Sequence, residues 1–240
     1  MNNKFFLIFV FITSFLVRAL FFIVFVQKDK NCWVCTDSAE YHSIAVNVAQ
    51  GEGIKKGDGE LNFRRLPGYP IFLATVYKFF ENNVNKALWL QILISSLVPV
   101  LMFYLLLVFF PSSFLLAKIV SLFSVFNLGF ILYSGMLLSD SLFLLIFLLF
   151  CLYFFSSFKN FSYKRIFFAG ILLGALSLVR PVGHYLLLIT TILVLLLSFD
   201  FIKKVKASFL FFLGWFLIVF WWLLRNWIFT GYLFFHKIKR

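Results

Sequence analysis

Residues 36–53 read T-D-S-A-E-Y-H-S-I-A-V-N-V-A-Q-G-E-G, and residues 64–77 read R-R-L-P-G-Y-P-I-F-L-A-T-V-Y. This polar stretch interrupts a chain that is otherwise almost continuously apolar. In the first block Tyr41, Ile44, Ala45, Val48 and Ala49 recur at i, i+3, i+4, i+7 and i+8, the stripe of an amphipathic helix over 38–50 that Gly51 ends. Such a helix is too short to cross a bilayer and is expected to lie along its surface. The second block continues into an apolar segment, 67–80, that contains Lys78 and reads as a second interfacial or re-entrant element. Both fall within one large loop, 27–86, between the first and second apolar runs.

Outside that loop the composition leaves little choice of class. The chain is 63% hydrophobic and 13% charged, with a mean hydropathy of +1.01, which excludes an ordinary soluble domain. Apolar runs at 5–26, 87–110, 112–133, 139–156, 166–179, 184–200 and 207–224 predict about seven transmembrane helices. The expected fold is therefore all-α and polytopic, a single module over 1–240 with interfacial helices in its first loop. The run at 5–26 is not a cleaved leader: Arg18 is followed by eight more apolar residues, and no small-residue cleavage site follows.

The net charge of +13 is scattered, so no patch suited to nucleic acid forms. Lys4, Lys159, Lys164, Arg165, Lys203, Lys204 and Lys206 collect on one side of the predicted spans. The excess of basic residues in cytoplasmic links places that side, and the N-terminus, in the cytoplasm and turns the Asp37 loop outward. Cys32 and Cys35 lie in that exported loop as C-W-V-C, open to a local disulfide or to free thiols. A zinc site would need two more ligands, and only His42 is near.

Several ionisable residues sit where hydrocarbon is expected. Asp37-x-x-Glu40 at a helix start reads either as a capping box or as a general base with a neighbouring acid. Asp140, in L-L-S-D-S-L-F, is the only acid between Glu81 and Asp200. It caps its helix or faces chemistry; Lys159 lies about 28 Å away along a helix of 1.5 Å rise, which puts the carboxylate near the hydrocarbon boundary. Arg180 is sharper. From Arg165 the helix rises only about 22 Å to reach it, short of a core about 30 Å thick. Pro181 and Gly183 then break the backbone, which implies a polar cavity opening outward. Arg18, in the first span, and Arg225, at the outer end of the last, extend the pattern. Arg64 and Arg65 read as anchors for anionic lipid or, with Arg180 and Arg225, as forked donors to a phosphate.

Five segments in order, T-D-S-A-E-Y-x-x-I-A-x-N-V-A-Q-G-E-G, R-x-P-G-Y-P-I-F-L-A-x-x-Y, L-L-S-D-S-L-F, A-G-I-L-L-G-A-L-S-L-V-R-P-V-G and W-x-L-R-N-W-x-x-x-G, resemble the bacterial membrane glycosyltransferases of the GT-C fold. The branch they are most similar to holds the aminoarabinose transferase of lipid A and relatives of the protein O-mannosyltransferases. The resemblance implies an inverting enzyme of the inner (cytoplasmic) membrane, multi-pass, active on the outer, periplasmic face. Its donor would be a polyprenyl-phosphate sugar and its acceptor a hydroxyl of a lipid, glycan or protein. Asp37 would be the catalytic base, with Glu40 and Asp140 beside it, and Arg64, Arg65, Arg180 and Arg225 would bind the donor phosphate. Tyr41, Tyr69, His184 and Asn226 would line the cavity. No cofactor is required by the spacing, although some relatives bind a divalent cation near the acids. Family members continue beyond the R-N-W segment, so this chain is expected to lack their C-terminal region, which a partner subunit would then supply. Two other readings stand beside this one: a non-catalytic component that binds or moves a lipid phosphate, and an inactive fragment.

Overall fold

The computed structural model describes residues 3–28, 36–196 and 200–233, so Cys32 and Cys35 lie outside the described residues. Among these the chain is helical throughout, and its one β feature is an isolated bridge between Lys55 and Leu61. Helix α1 (Asn3–Phe21) runs on through a π-helical turn at Phe22–Val26, where the Gln27 N–H donates to the Phe22 carbonyl five residues back, at 2.9 Å. Helices α2 (Thr36–Ala49) and α3 (Gly68–Phe80) follow, close to the expected 38–50 and 67–80. Gly51, at φ +82°, ends α2 in the left-handed region that glycine tolerates.

Helix α4 (Val84–Ser95) is capped by the Asn83 side chain, which accepts from the Lys86 N–H, and α5 (Val98–Phe109) resumes after a short break with Pro99 in its first turn. Helices α6 (Phe114–Val125) and α7 (Leu128–Ser134) meet at 49°, because the Asn127 side chain caps α7 by accepting from the Phe130 N–H. Then come α8 (Asp140–Lys159), α9 (Tyr163–Val179), α10 (Val182–Leu196) and α11 (Phe201–Thr230), the last closed by Gly231 at φ +72°.

The expectation of seven spans does not hold. Among the described residues four stretches are, by length and composition, long and apolar enough to cross a membrane: Asn3–Val26, Val84–Phe109, Asp140–Lys159 and Phe201–Thr230. The bent pair of α6 and α7 makes a fifth if it is counted as one span. The reason lies in α9 and α10. Pro181 carries no N–H and separates them, leaving α9 with 17 residues and α10 with 15. At 1.5 Å per residue these reach about 26 and about 22 Å, against a hydrocarbon core about 30 Å thick.

By its internal contacts the chain divides into two compact units. Unit 1 comprises Met1–Leu61 and Tyr69–Leu148, and unit 2 comprises Asn62–Gly68 and Leu149–Arg240. The core of unit 1 gathers Phe22, Val26, Tyr41, Leu73, Leu88 and Ile92. The apolar stripe of α2 is thus a packing face: Tyr41, Ile44 and Ala45 are buried within the unit. His42, on the adjoining face, has its Nδ1 2.9 Å from the Tyr77 hydroxyl of α3.

Unit 2 is held by the close approach of α9 and α11. A Cβ on Gly170 would stand 2.1 Å from the Phe211 carbonyl oxygen, and one on Gly214 would stand 2.4 Å from that of Phe167. Gly174, one turn beyond Gly170, packs in the same way against Ile218. Small residues four apart let two helix backbones touch where lipid tails compete equally for apolar side chains. Further along the same contact the Trp215 indole N–H donates to Ser177 Oγ at 3.0 Å, and that hydroxyl donates to the Leu173 carbonyl at 2.8 Å.

Two expectations follow for stability. Gly170→Ala inserts a methyl group where a backbone oxygen already sits, and it should destabilise the protein by about 1–3 kcal/mol. Gly57→Ala, whose added Cβ meets only Ser43 at an ordinary 3.4 Å, should not. Equal melting temperatures for both variants in detergent would refute the contact. Burial also pushes the His42 pKa below its ordinary value of 6.5. The folded state therefore resists a proton that the unfolded chain accepts, so stability is full above pH 6.5 and is lost as pH falls from there. Wild-type melting temperature should drop over that acid window, and His42→Gln should flatten the drop.

Candidate functional site

Unit 1 carries the carboxylates. Because α2 begins at Thr36, Asp37 stands inside its first turn, where the exposed N–H groups and the helix dipole favour a negative charge. It is half-buried, as is Glu40 one turn later, whose carbonyl accepts from the Ser43 hydroxyl at 3.0 Å. Asp140 is the first residue of α8 and is also half-buried. The Ser139 carbonyl just before it receives the Phe143 N–H at 2.8 Å, so the helix starts immediately at Asp140.

What fixes the approach to Asp140 is a residue the sequence reading passed over. Gln91 of α4 is fully buried, and its amide nitrogen donates to the carbonyls of Tyr133, Ser134 and Met136, at 3.1, 3.1 and 2.6 Å. Its oxygen accepts from the Tyr69 hydroxyl at 2.8 Å. One carboxamide thus satisfies the carbonyls that α7 leaves open as it ends, and Ser141 adds a hydroxyl to the Tyr133 carbonyl at 3.2 Å. The signal was present: a glutamine in the apolar run L-W-L-Q-I-L-I demands a partner in any low-dielectric setting.

Beside this turn lies a cavity of about 250 Å³, lined by Ser95, Asn127, Tyr133, Asp140, Ser141 and Phe143 among others. Tyr41 and Tyr69, expected to line a cavity, are core residues: they meet edge to face at 4.9 Å, and Tyr69 is fully buried. A second hollow in the same unit, about 460 Å³, is apolar except for Lys86 and Thr75 at its wall and offers no grouping of reactive side chains.

Unit 2 carries the arginines, and it brings them to one end. Arg64 and Arg65 belong to the strap Asn62–Gly68, whose turn is made by another overlooked side chain. Asn62, 1% exposed, accepts from the N–H groups of Arg64 and Arg65 and donates to the Arg65 carbonyl at 2.7 Å. The strap lies against the end of α9: a Cβ on Gly68 would come within 2.8 Å of the Leu178 carbonyl, two residues before Arg180. It also meets the end of α11, where the Arg225 guanidinium stacks over Phe63 at 4.9 Å and over Trp222 at 4.8 Å. Asn226 Oδ1 accepts from Arg225 Nη1 at 3.1 Å.

Arg180 has left the helix. It is the C-cap of α9, in extended conformation, with its N–H still bonded to the Leu176 carbonyl at 3.0 Å. Its own carbonyl accepts from Gly183, and that of Pro181 accepts from His184, so α10 starts at once. Gly183 is needed there because a Cβ would fall 2.5 Å from Ser177 backbone atoms. His184 sits edge to face with Trp215 at 5.9 Å. The sequence-predicted residues therefore sort by sign, with Asp37, Glu40 and Asp140 in unit 1 and Arg64, Arg65, Arg180 and Arg225 in unit 2. Among the described residues, no group of three or more His, Cys, Asp or Glu comes together to hold a cation. In comparisons with known proteins, no family model, no curated protein and no solved structure matches the chain.

Proposed function

We propose that the chain is a membrane glycosyltransferase that moves a sugar from a polyprenyl-phosphate donor to a hydroxyl acceptor, with inversion, at the outer face of a bacterial inner membrane. The observation that carries this reading is the packing of the strap that bears Arg64 and Arg65 against the ends of α9 and α11, which bear Arg180 and Arg225, through the contacts of Gly68 with Leu178 and of Phe63 with Arg225. Guanidinium forks match phosphate oxygens two at a time. Held by stacking and backbone caps rather than left on mobile loops, they are suited to stabilising charge that grows on a leaving phosphate. In this scheme Asp37 removes the acceptor hydroxyl's proton as its oxygen attacks the anomeric carbon, and the bond to the phosphate oxygen breaks on the opposite side. Glu40 and Asp140 orient the reacting groups. The scheme needs no cofactor, and a divalent cation would be an addition to it. A lipid or membrane-surface acceptor, and a further subunit that helps bind it, complete the reading.

The test separates binding from transfer. Protein purified in mild detergent should carry polyprenyl phosphate detectable by mass spectrometry, and Arg180→Ala should lower its occupancy about tenfold. Asp37→Asn should retain the lipid yet lose about 10²–10⁴ of the transfer rate in proteoliposomes supplied with polyprenyl-phosphate sugars. Full transfer by Asp37→Asn would remove the base assignment, and wild-type lipid occupancy in Arg180→Ala would remove the phosphate site.

A further inference from the structure

Among the described residues Arg18 is the largest fully buried side chain, and no carboxylate pairs with it. Its Nε donates to Ser95 Oγ at 3.1 Å, and its Nη1 donates to the Ser14 carbonyl and hydroxyl and to the Val125 carbonyl at 3.4 Å. Nη2 has no hydrogen-bond partner among the described residues. A guanidinium in such a place polarises whatever accepts from it. The acceptor here is Ser95, which is 2% exposed and lines the 250 Å³ cavity. Among the described residues Ser95 Oγ makes only the bond it receives from Arg18, so its own proton has no acceptor. A buried hydroxyl with a positive charge behind it is a strong donor that lacks its partner.

The same cavity is bordered by Asp140, an acceptor, and by the side chains of Asn127 and Tyr133, which add an amide and a phenol. Phe130, Phe143 and Leu144 supply apolar wall. An alcohol suits Ser95 and Asp140 together, because its oxygen accepts from Ser95 while its own O–H donates to Asp140. We infer that this cavity binds the neutral, hydroxyl-bearing head of an amphiphile, with Ser95 as donor and Asp140 as acceptor. The inference rests on the transferase reading only in assigning that head to the reaction. A glycosyl ring and a simple alcohol acceptor share the chemistry, and the probes below tell them apart.

The binding is read without turnover. Full-length protein in phosphatidylcholine nanodiscs is titrated with n-octyl β-D-glucoside below its micellar concentration and with 1,2-octanediol, by saturation-transfer NMR. At least one should bind saturably; tighter glucoside binding identifies a glycosyl ring, and equal or tighter diol binding identifies a plain alcohol. Asp140→Asn and Ser95→Ala should each weaken the better probe about tenfold. Ser95→Ala strips an acceptor from Arg18 and could unfold the protein, whereas Asp140→Asn is half-exposed and keeps its shape. The proposal is overturned if neither probe binds, or if Asp140→Asn binds as wild type. Loss of sugar transfer with intact probe binding would instead strike the transferase reading alone.

Discussion

A single carboxamide sets the terms for unit 1. Where a helix stops inside an apolar chain, its last carbonyls need donors that lipid cannot give. Between Tyr133 and Asp140 the backbone leaves the α7 helix and turns before α8 begins, and Gln91 meets three of the exposed carbonyls with one amide group. Because the Tyr69 hydroxyl occupies its oxygen, the amide cannot flip without losing four bonds at once. The position of Asp140, and of the cavity it borders, follows from that constraint. A leucine of similar size at position 91 would fill the space but take from the Ser134 carbonyl the donor it has here, at about 1–3 kcal/mol, and leave those of Tyr133 and Met136 to Ser141 and the Leu138 N–H.

Broken helices also explain which parts of the molecule the sequence disclosed. The two loop helices were legible because α2 has a clean apolar period with Gly51 behind it, and α3 an apolar run opened by Pro67 and Gly68. The ends of α9 and α10 were legible too, since Pro181 can form only a break. Hydropathy alone then misled on span count. A window of apolar residues reads the same whether its helix is long enough to cross or is a shorter piece packed on a neighbour. The bend at Asn127 was hidden for a similar reason: one capping side chain in a long apolar stretch outweighs the hydrophobicity around it.

Site residues divide along a comparable line. Charges that interrupt apolar runs, Arg180 and Asp140 above all, stand out in any hydropathy reading. Asn62, Gln91 and Ser95 do not, since their roles consist of bonds to backbone or side chains tens of residues away. Tyr69 shows the converse case. The resemblance implied a cavity wall for it, and its ring is buried in the core with its hydroxyl donating to Gln91 Oε1.

The arrangement of charge suggests why the cationic residues are treated so differently from one another. Arg225 is flanked by Phe63, Trp222 and Phe229, whose ring faces attract a cation, while its Nη1 donates to Asn226 Oδ1. Stacking on a ring face orients a guanidinium without itself using the N–H donors. Arg18 is the opposite case. Carbonyls and hydroxyls consume most of its donors within the plane, so its charge acts through Ser95 instead of through contact. A lysine could replace neither: it would lose the planar stack at position 225, and at position 18 it could not span Ser14, Val125 and Ser95 with three divergent bonds.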